Sequence, residues 1–285
     1  MQSADIGPRV VMCGCTIYGH QLLSGLLGDG FRIDHFVILM PEQGRKYSVS
    51  GYYDLTSLAD HYNIPVYVPK SYSLCSPEDQ RFFSEHRFDI LIQGGWQRLF
   101  PESVLQTLGI GAIGVHGSSD LLPKGRGRSP LNWSIILNKK RFILHLFLIR
   151  SGADDGDVID FEDFDINPHD DIRTLYYKNV ILTRRMLVRA LPHLAAGTLP
   201  LRPQQGISSY FGKRRPEDGL IDWETMDVYE IYNLIRATTR PYPGAFGVIE
   251  GKRFRFWSAR PFDTRIVYIN ESYGSIVERF DNHII

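Results

Sequence analysis

The chain has no excess charge of either sign. Its 285 residues include 32 lysines and arginines and 32 aspartates and glutamates, so the formal net charge at pH 7 is zero. Proteins that bind nucleic acid without regard to sequence depend on a strong positive field, which a neutral chain lacks. We therefore expect any bound polyanion to be small, and we do not expect nucleic acid as a partner.

Long apolar runs and a disulfide framework are also missing. No stretch reaches the ~18 apolar residues of a membrane span, and the first residues contain no apolar segment of signal length. The three cysteines, Cys13, Cys15 and Cys75, are an odd number in a long chain, which is typical of a reducing compartment. We expect a cytoplasmic protein that does not associate with a membrane.

Two common cofactor motifs are absent from the sequence. Cys13 and Cys15 have no second Cys or His pair at metal-ligand spacing, and the histidines form no H-E-x-x-H pattern. We therefore expect no metal. The glycine-rich turn from Gly14 to Gly19 does not match G-x-G-x-x-G, which argues against a nicotinamide dinucleotide.

The first two thirds of the chain contain alternating strand and helix patterns. Apolar runs such as "RVVMCG", "FDILIQGG" and "GAIGVH" predict buried strands, and the amphipathic stretches between them predict helices. This alternation is typical of an α/β fold with a doubly wound, mostly parallel, Rossmann-like sheet. A long amphipathic helix is predicted from about Ile172 to Ala196, with Asp170 or Asp171 as its cap.

The segment "GTLPLRPQQG", residues 197–206, has the proline and glycine content of a domain boundary. After it come a helix pattern, "DVYEIYNLIRAT", and short strand patterns in "PYPGAFGVIEGKRFRFWSARPF" and "RIVYINESYGSIVERF". We predict a catalytic domain in residues 1–199 and a small β-rich domain, similar to a partly open OB-type barrel, in residues 200–285.

One histidine and one aspartate follow predicted strands. His116 ends "GAIGVH", and Asp154 follows "FILHLFLI". Because open α/β sheets bind ligands at the carboxyl ends of their strands, we expect the two side chains to meet in one crevice. A carboxylate orients a neighbouring imidazole, which can then accept a proton near neutral pH. A packed strand-end histidine and a turn-forming Asp-Asp-Gly sequence remain the structural alternative.

The stretches "VHGSSDLLPKGRGRSPLNW" and "SGADDGDVI" resemble the 10-formyltetrahydrofolate-dependent formyltransferases. The family pattern is Asn-x-His, then S-LLP-x-x-RG-x-x-P, and later an Asp-x-Gly turn. "YFGKRRPEDGLIDW" and "LIRATTRPYPGAF" resemble the family's second domain, so the resemblance extends from Arg9 to about Phe262. The matching positions in the first domain are His116, Leu121, Leu122, Pro123, Arg126, Gly127, Pro130 and the turn Asp154 to Gly156.

This resemblance implies an N-formyltransferase with 10-formyltetrahydrofolate as donor. "PLNW" and "GKRFRFWSAR" are most similar to the sugar-modifying branch, whose members formylate nucleotide-linked amino sugars. The expected product is a formamido sugar for lipopolysaccharide or another surface glycan, and the family analogy favours a homodimer. Methionyl-tRNA formyltransferase is the alternative within the family, although it requires a basic surface to hold tRNA.

The resemblance also assigns roles to site residues. His116 becomes the base and Asp154 its partner, and Asp154 also lies beside the folate. The remaining pterin-flanking candidates are Trp96, Gln97, Arg98, Leu121, Leu122 and Pro123, although Trp96 can equally be core packing. Candidates for the phosphates of a sugar nucleotide are Lys124, Arg126 and Arg128, because cationic groups suit phosphate. A solvated basic loop, or Arg126 supporting the active-site loop, is the alternative.

The sequence departs from the family pattern at Gly114, where the family has an asparagine that polarises the formyl carbonyl. Losing one such donor typically costs ~100- to 1,000-fold in rate. Ser118, Ser119 or a backbone amide of "HGSSD" could replace it. Otherwise the chain is a catalytically impaired relative that only binds folate or a nucleotide sugar.

Overall fold

The computed structural model describes residues 7–198, 201–249, 251–263, 265–269 and 271–285. Its centre is a seven-stranded sheet of order β3-β2-β1-β4-β5-β7-β8. The strands of this sheet are β1 (Val10–Gly14), β2 (His35–Val37), β3 (Val66–Tyr67), β4 (Ile90–Gly94), β5 (Gly111–Ser118), β7 (Arg141–Leu148) and β8 (Val158–Asp165). The strand β6 (Arg126–Gly127) lies outside it and pairs with β9 (Tyr210–Phe211).

Helices connect and cover these strands. They are α1 (Ile17–Gly28), α2 (Pro41–Lys46), α3 (Thr56–Tyr62), α4 (Pro77–His86), α5 (Glu102–Leu105), α6 (Pro130–Ile136), α7 (Ile172–Ala195) and α8 (Val228–Thr238). None of the described helices combines the length and the apolarity that a membrane crossing requires.

Strand direction divides the sheet into two halves. The pairs β3–β2, β2–β1, β1–β4 and β4–β5 are parallel. The pairs β5–β7 and β7–β8 are antiparallel. The prediction of an α/β fold with a mostly parallel sheet is therefore confirmed.

Alternate residues of the strands enter two separate cores. On one face, Ile92 and Ile113 join a large cluster with α1 and α7. On the other face, Leu91 and Ala112 join a second cluster that also contains Trp96. His116 is an even-numbered residue of β5, as Ala112 is, so its side chain lies on the face of the second cluster.

Side-chain caps begin two of the predicted helices. Ser76 accepts the backbone N–H of Asp79 at 3.1 Å and caps α4. Asp171 accepts the N–H groups of Arg173 and Thr174 at 2.9 and 3.0 Å and caps α7, so it is the second of the two predicted aspartates that does so.

Glycines close the turn between β1 and α1. A Cβ atom on Gly19 would lie 1.9 Å from the carbonyl oxygen of Gly94 at the end of β4. A Cβ atom on Gly14 would lie 2.6 Å from the same oxygen. Main chain therefore packs directly on main chain at this part of the sheet edge.

The C-terminal region contains α8 and two hairpins. One hairpin pairs β10 (Ala245–Ile249) with β11 (Lys252–Phe256), and the other pairs β12 (Arg279–Phe280) with β13 (His283–Ile284). The small β-rich C-terminal region is thus confirmed. The predicted strand in "RIVYINESYGSIVERF" is found only at its last two residues, because residues 265–269 and 271–278 form no strand, and residue 270 lies outside the described residues.

Candidate active site

His116 lies near the carboxyl end of β5, where this strand extends beyond β4. Its side chain is 8% exposed. The Nε2 atom lies 2.8 Å from the backbone carbonyl oxygen of Gly125. A carbonyl oxygen only accepts hydrogen bonds, so Nε2 carries a proton. In the neutral ring the lone pair is then on Nδ1, so this nitrogen can accept a proton as a base.

Asp154 faces this nitrogen. Its Oδ2 atom lies 3.4 Å from Nδ1 of His116 and accepts the backbone N–H of Gly127 at 3.0 Å. The 3.4 Å distance is longer than the 2.7–3.2 Å typical of an N–H···O hydrogen bond. The structure therefore brings together the two side chains predicted to meet, with two acceptor atoms side by side.

The route by which Asp154 reaches His116 differs from the prediction. We expected both residues at the carboxyl ends of neighbouring strands, but β7 is antiparallel to β5 and ends beside its amino end. The N–H of Ile149 donates to the carbonyl of Ala112 at 2.7 Å, and the loop then runs back along β5. The loop, and not the strand end, places Asp154.

Gly114 lies in β5 two residues before His116, and side chains of β7 and of the residue that follows it cover Gly114. A Cβ atom on Gly114 would lie 2.8 Å from Cγ1 of Ile149 and 3.0 Å from Cζ of Phe147. These two apolar side chains therefore fill the space in which the side chain of an asparagine at this position would begin.

The two serines considered as replacement donors lie at the end of β5. Ser118 is 1% exposed, and its hydroxyl accepts the N–H of Asp120 at 3.4 Å. Ser119 is half-buried, and its hydroxyl donates to the carboxylate of Asp120 at 3.2 Å. Their role as oxyanion donors stays a prediction.

The segment after β4 is packed differently from a ligand-facing loop. Trp96 is 1% exposed and contacts the ring of Tyr72 edge to face, with ring centroids 4.7 Å apart. Gln97 donates its amide to the carbonyl of Ser50 at 2.8 Å, and the guanidinium of Arg98 lies 4.8 Å from the centre of the Tyr72 ring. A ligand could touch Trp96 only after its neighbours move.

Residues 121–124 line a cleft of about 780 Å³, which is within the size range of small-molecule sites. Leu121 is 53% exposed, whereas Leu122 and Pro123 are buried. The opposite walls come from the sheet, including His145 and Phe161, and from residues 201–207. The predicted pterin contacts thus form two separate groups, one in this cleft and one around Trp96.

His145 lies directly opposite His116 in the β5–β7 pair. It is 1% exposed, and its Nε2 accepts the N–H of Leu122 at 3.3 Å. Burial, and secondly the nearby His116, lower the pKa of His145 to about 4. His145 is therefore a neutral packed histidine whose ring holds the start of the segment after β5.

The three basic residues of the loop differ in their surroundings. Arg126 donates from Nε and Nη2 to Oε1 of Gln204 at 3.2 and 2.6 Å, so its guanidinium supports the loop. Lys124 and Arg128 are exposed. Neither forms an ion pair with another described residue, so both are available to an anionic ligand.

Residues 204–211 contribute to the site without a sequence pattern that predicts it. Besides Gln204, the hydroxyl of Ser209 accepts the N–H of Gly125 at 2.9 Å, and β9 pairs with β6. No local pattern marks these contacts, because they join positions about eighty residues apart, as the 84 between Gly125 and Ser209 show. Among the described residues, no three His, Cys, Asp or Glu side chains cluster as a metal site requires.

Two family models match most of the chain. A family model described as "Formyl transferase" matches residues 50–191, and one described as "Formyl transferase, C-terminal domain" matches residues 213–285. The chain belongs to the formyltransferase family. The assignment made from the motifs around His116 and Asp154 is confirmed at the level of the family.

Solved structures share the fold at low sequence identity. HypX from Aquifex aeolicus has a TM-score of 0.70 at 16% identity over 98% of this chain, which spans 43% of the HypX chain. A sugar N-formyltransferase from Shewanella has a TM-score of 0.68 at 16% identity, covering 90% of this chain and 99% of its own. Methionyl-tRNA formyltransferase from Clostridium thermocellum has a TM-score of 0.64 at 17% identity, covering 90% and 94%. One HypX structure is a complex with tetrahydrofolic acid.

Proposed function

We propose that this formyltransferase moves the formyl group of 10-formyltetrahydrofolate to the amino group of a nucleotide-linked amino sugar. The observation that carries the proposal is the pair of acceptors formed by Nδ1 of His116 and Oδ2 of Asp154, 3.4 Å apart. An amine that attacks a formyl carbon must lose a proton, and this pair can take it.

His116 acts as the base in this reaction. Its Nε2–H is held by the carbonyl of Gly125, so only Nδ1 can accept the proton of the attacking amine. Asp154 lies beside Nδ1, orients the amine by accepting its second N–H, and stabilises the imidazolium that forms. General acid–base help of this kind contributes ~100- to 10,000-fold.

The donor supplies the formyl carbon: the amine nitrogen forms a new bond to this carbon, and the bond from the carbon to the folate nitrogen breaks. The folate nitrogen keeps the electron pair of the broken bond and takes up the proton that His116 accepted from the amine. The residues present fit a flat, partly apolar ligand of this kind. The cleft of about 780 Å³ described above has Leu121, Leu122 and Pro123 as apolar lining residues, and Lys124 also lines it. The other proposed folate contacts are Gln97 and Arg98, with Trp96 behind them.

The acceptor is held by its phosphates in this proposal. Lys124 and Arg128 are exposed and lie four positions apart in the segment between β5 and α6, where two cations can bind a diphosphate. Support for a sugar acceptor comes from the sequence stretches that resemble the sugar branch, and from a similar structure named as a sugar N-formyltransferase. Methionyl-tRNA is the second candidate, because a methionyl-tRNA formyltransferase also shares the fold.

The experiment incubates the purified protein with 10-formyltetrahydrofolate and a panel of nucleotide-linked 4-amino sugars, and measures by mass spectrometry whether one carbonyl unit is added. Charged initiator tRNA forms a separate arm. We expect one of the sugars to be formylated and the tRNA to remain unmodified. Formylation of the tRNA alone would replace the sugar proposal, and stoichiometric folate binding without any transfer would identify an impaired relative.

A matched pair of variants ties the activity to the site. Asp154→Asn removes the carboxylate beside His116, and we expect it to abolish most of the transfer. Asp157→Asn changes a carboxylate three residues away that pairs with Arg150 at the surface, and we expect it to retain activity. Equal loss in both variants would contradict the specific role of Asp154.

A further inference from the structure

Gln204 connects the turn that carries Asp154 with Arg126 in β6. Its amide nitrogen donates to the backbone carbonyls of Asp154 and Gly156, both at 2.8 Å. Its amide oxygen accepts from Arg126 at 3.2 and 2.6 Å. The orientation of this amide is fixed by chemistry, because carbonyls only accept and a guanidinium only donates.

The turn that Gln204 holds has an uncommon backbone conformation. Asp154 has a φ of 52°, in the left-handed region that non-glycine residues rarely adopt. At Gly156 a Cβ atom would lie 1.5 Å from the carbonyl oxygen of Leu148, so the backbone is pressed against β7. A turn of this kind needs outside contacts to remain in one conformation, and the two hydrogen bonds from Gln204 are such contacts.

The other partner of Gln204 leads to the same carboxylate. Arg126 is followed directly by Gly127, whose N–H donates to Oδ2 of Asp154 at 3.0 Å. Gln204 therefore fixes the backbone of Asp154 on one side and the segment that binds its carboxylate on the other. Both links determine where Oδ2 lies relative to Nδ1 of His116.

We propose that Gln204 is a positioning residue that holds the Asp154 carboxylate against His116 and acts on catalysis only through Asp154. This inference depends on the proposed role of Asp154 in formyl transfer. Gln106, an exposed glutamine directly after α5 that donates to Glu102, offers a matched control because it has the same side chain and does not line the cleft.

The test is a double-mutant cycle with kcat and KM measured for each protein. Gln204→Glu keeps the size of the side chain but loses both N–H donors, and Gln204→Ala removes the side chain. We expect each to lower kcat by ~10- to 100-fold, as small misplacements of catalytic groups do, with KM changed by less than about threefold. Gln106→Ala should match the unmodified protein.

The cycle is completed in the Asp154→Asn background, where single-turnover measurements follow the residual rate. If Gln204 acts only through Asp154, adding Gln204→Ala there costs no further activity. A further ~10-fold loss in that background would show an effect independent of Asp154 and overturn the proposal. Full kcat in both Gln204 variants would also overturn it, provided that the unmodified protein is active and Asp154→Asn is not. An inactive unmodified protein would instead contradict the proposed function.

Discussion

The parallel and antiparallel halves of the central sheet use their strand ends differently. In the parallel half, the ends of β1 and β4 are closed by main-chain contacts, because a Cβ atom on Gly19 would lie 1.9 Å from the carbonyl oxygen of Gly94. In the antiparallel half, the end of β5 carries His116, and the loop after β7 brings Asp154 to within 3.4 Å of it.

This difference shows where the chemistry of the fold can lie. The rule that open α/β sheets bind ligands at carboxyl strand ends locates His116, which follows the last parallel pair. It does not locate Asp154, which comes from a loop that runs back along β5 after an antiparallel strand. Substitutions at the main-chain contacts of the parallel half should therefore lower stability, and substitutions of the His116 and Asp154 pair in the antiparallel half should lower activity.

The largest expected effect is on activity, in the antiparallel half. We expect His116→Gln to lower kcat by about 1,000-fold, within the range for general acid–base catalysis, because the base is lost. Glutamine can still donate to the carbonyl of Gly125, so thermal unfolding should change little. Steady-state kinetics and a melting curve measure the two quantities, with His61→Gln on the exposed face of α3 as the control. Retained kcat in His116→Gln would remove the distinction between the halves.

The second prediction concerns stability in the parallel half. Gly19→Ala should lower the free energy of unfolding by about 3 kcal/mol, because its Cβ would overlap a main-chain oxygen that cannot rotate away. Gly28→Ala, in the same helix, has no atom within 4 Å of the added Cβ, and should be neutral or stabilising by up to about 1 kcal/mol. Urea unfolding compares them. Equal stability of the two variants would contradict the close packing of β4 on α1.

The third prediction is a pH dependence that belongs to His145. Its pKa in the folded protein is about 4, below the ordinary value of 6.5, so the unfolded chain binds the extra proton between these values. The resulting stability is present above pH ~6.5 and is lost as the pH falls towards 4. Between pH 7 and 5 the unmodified protein should lose about 2 kcal/mol more than His145→Gln. Urea unfolding at several pH values measures this. The same pH dependence of the unfolding free energy in both proteins would contradict a neutral, buried His145.

The smallest effect is expected at Gly114. Asparagine there meets the flexible ends of Ile149 and Phe147, so Gly114→Asn should cost about 1 kcal/mol of unfolding free energy. Adding Ile149→Ala should relieve the overlap, so that the asparagine costs less in this background than in the unmodified protein. Thermal melts of both single variants and the double variant measure this coupling. Additive losses would show that Ile149 does not occupy the position of the missing amide.

Local patterns predicted most of the fold because local chemistry determines it. Asp171 caps the long helix that the amphipathic pattern predicts, and "GAIGVH" forms a buried strand that ends near His116. The direction of β7 could not be predicted, since an alternating apolar run looks the same in either orientation. The short helices α2 and α5 were missed because they have six and four residues and little periodicity.

The sequence predicted the two central residues of the site, but not the hydrogen bonds that hold the segments around them. The motif around His116 and Asp154 identified the pair that the structure brings together. Gln204 and Ser209 could not be identified, because their partners lie far away in the chain and a hydrogen bond between distant segments leaves no local pattern. The burial of Trp96 depends on packing against Tyr72, which the sequence near Trp96 does not encode.

The tautomer of His116 in the ligand-free protein tests the proposed base most directly. Nitrogen NMR of the imidazole ring measures it, and the His116→Gln variant assigns the signals. We expect the neutral ring to carry its proton on Nε2, held by the carbonyl of Gly125, and to leave Nδ1 unprotonated beside Asp154. A proton on Nδ1 of the neutral ring would contradict this arrangement and the proposed base.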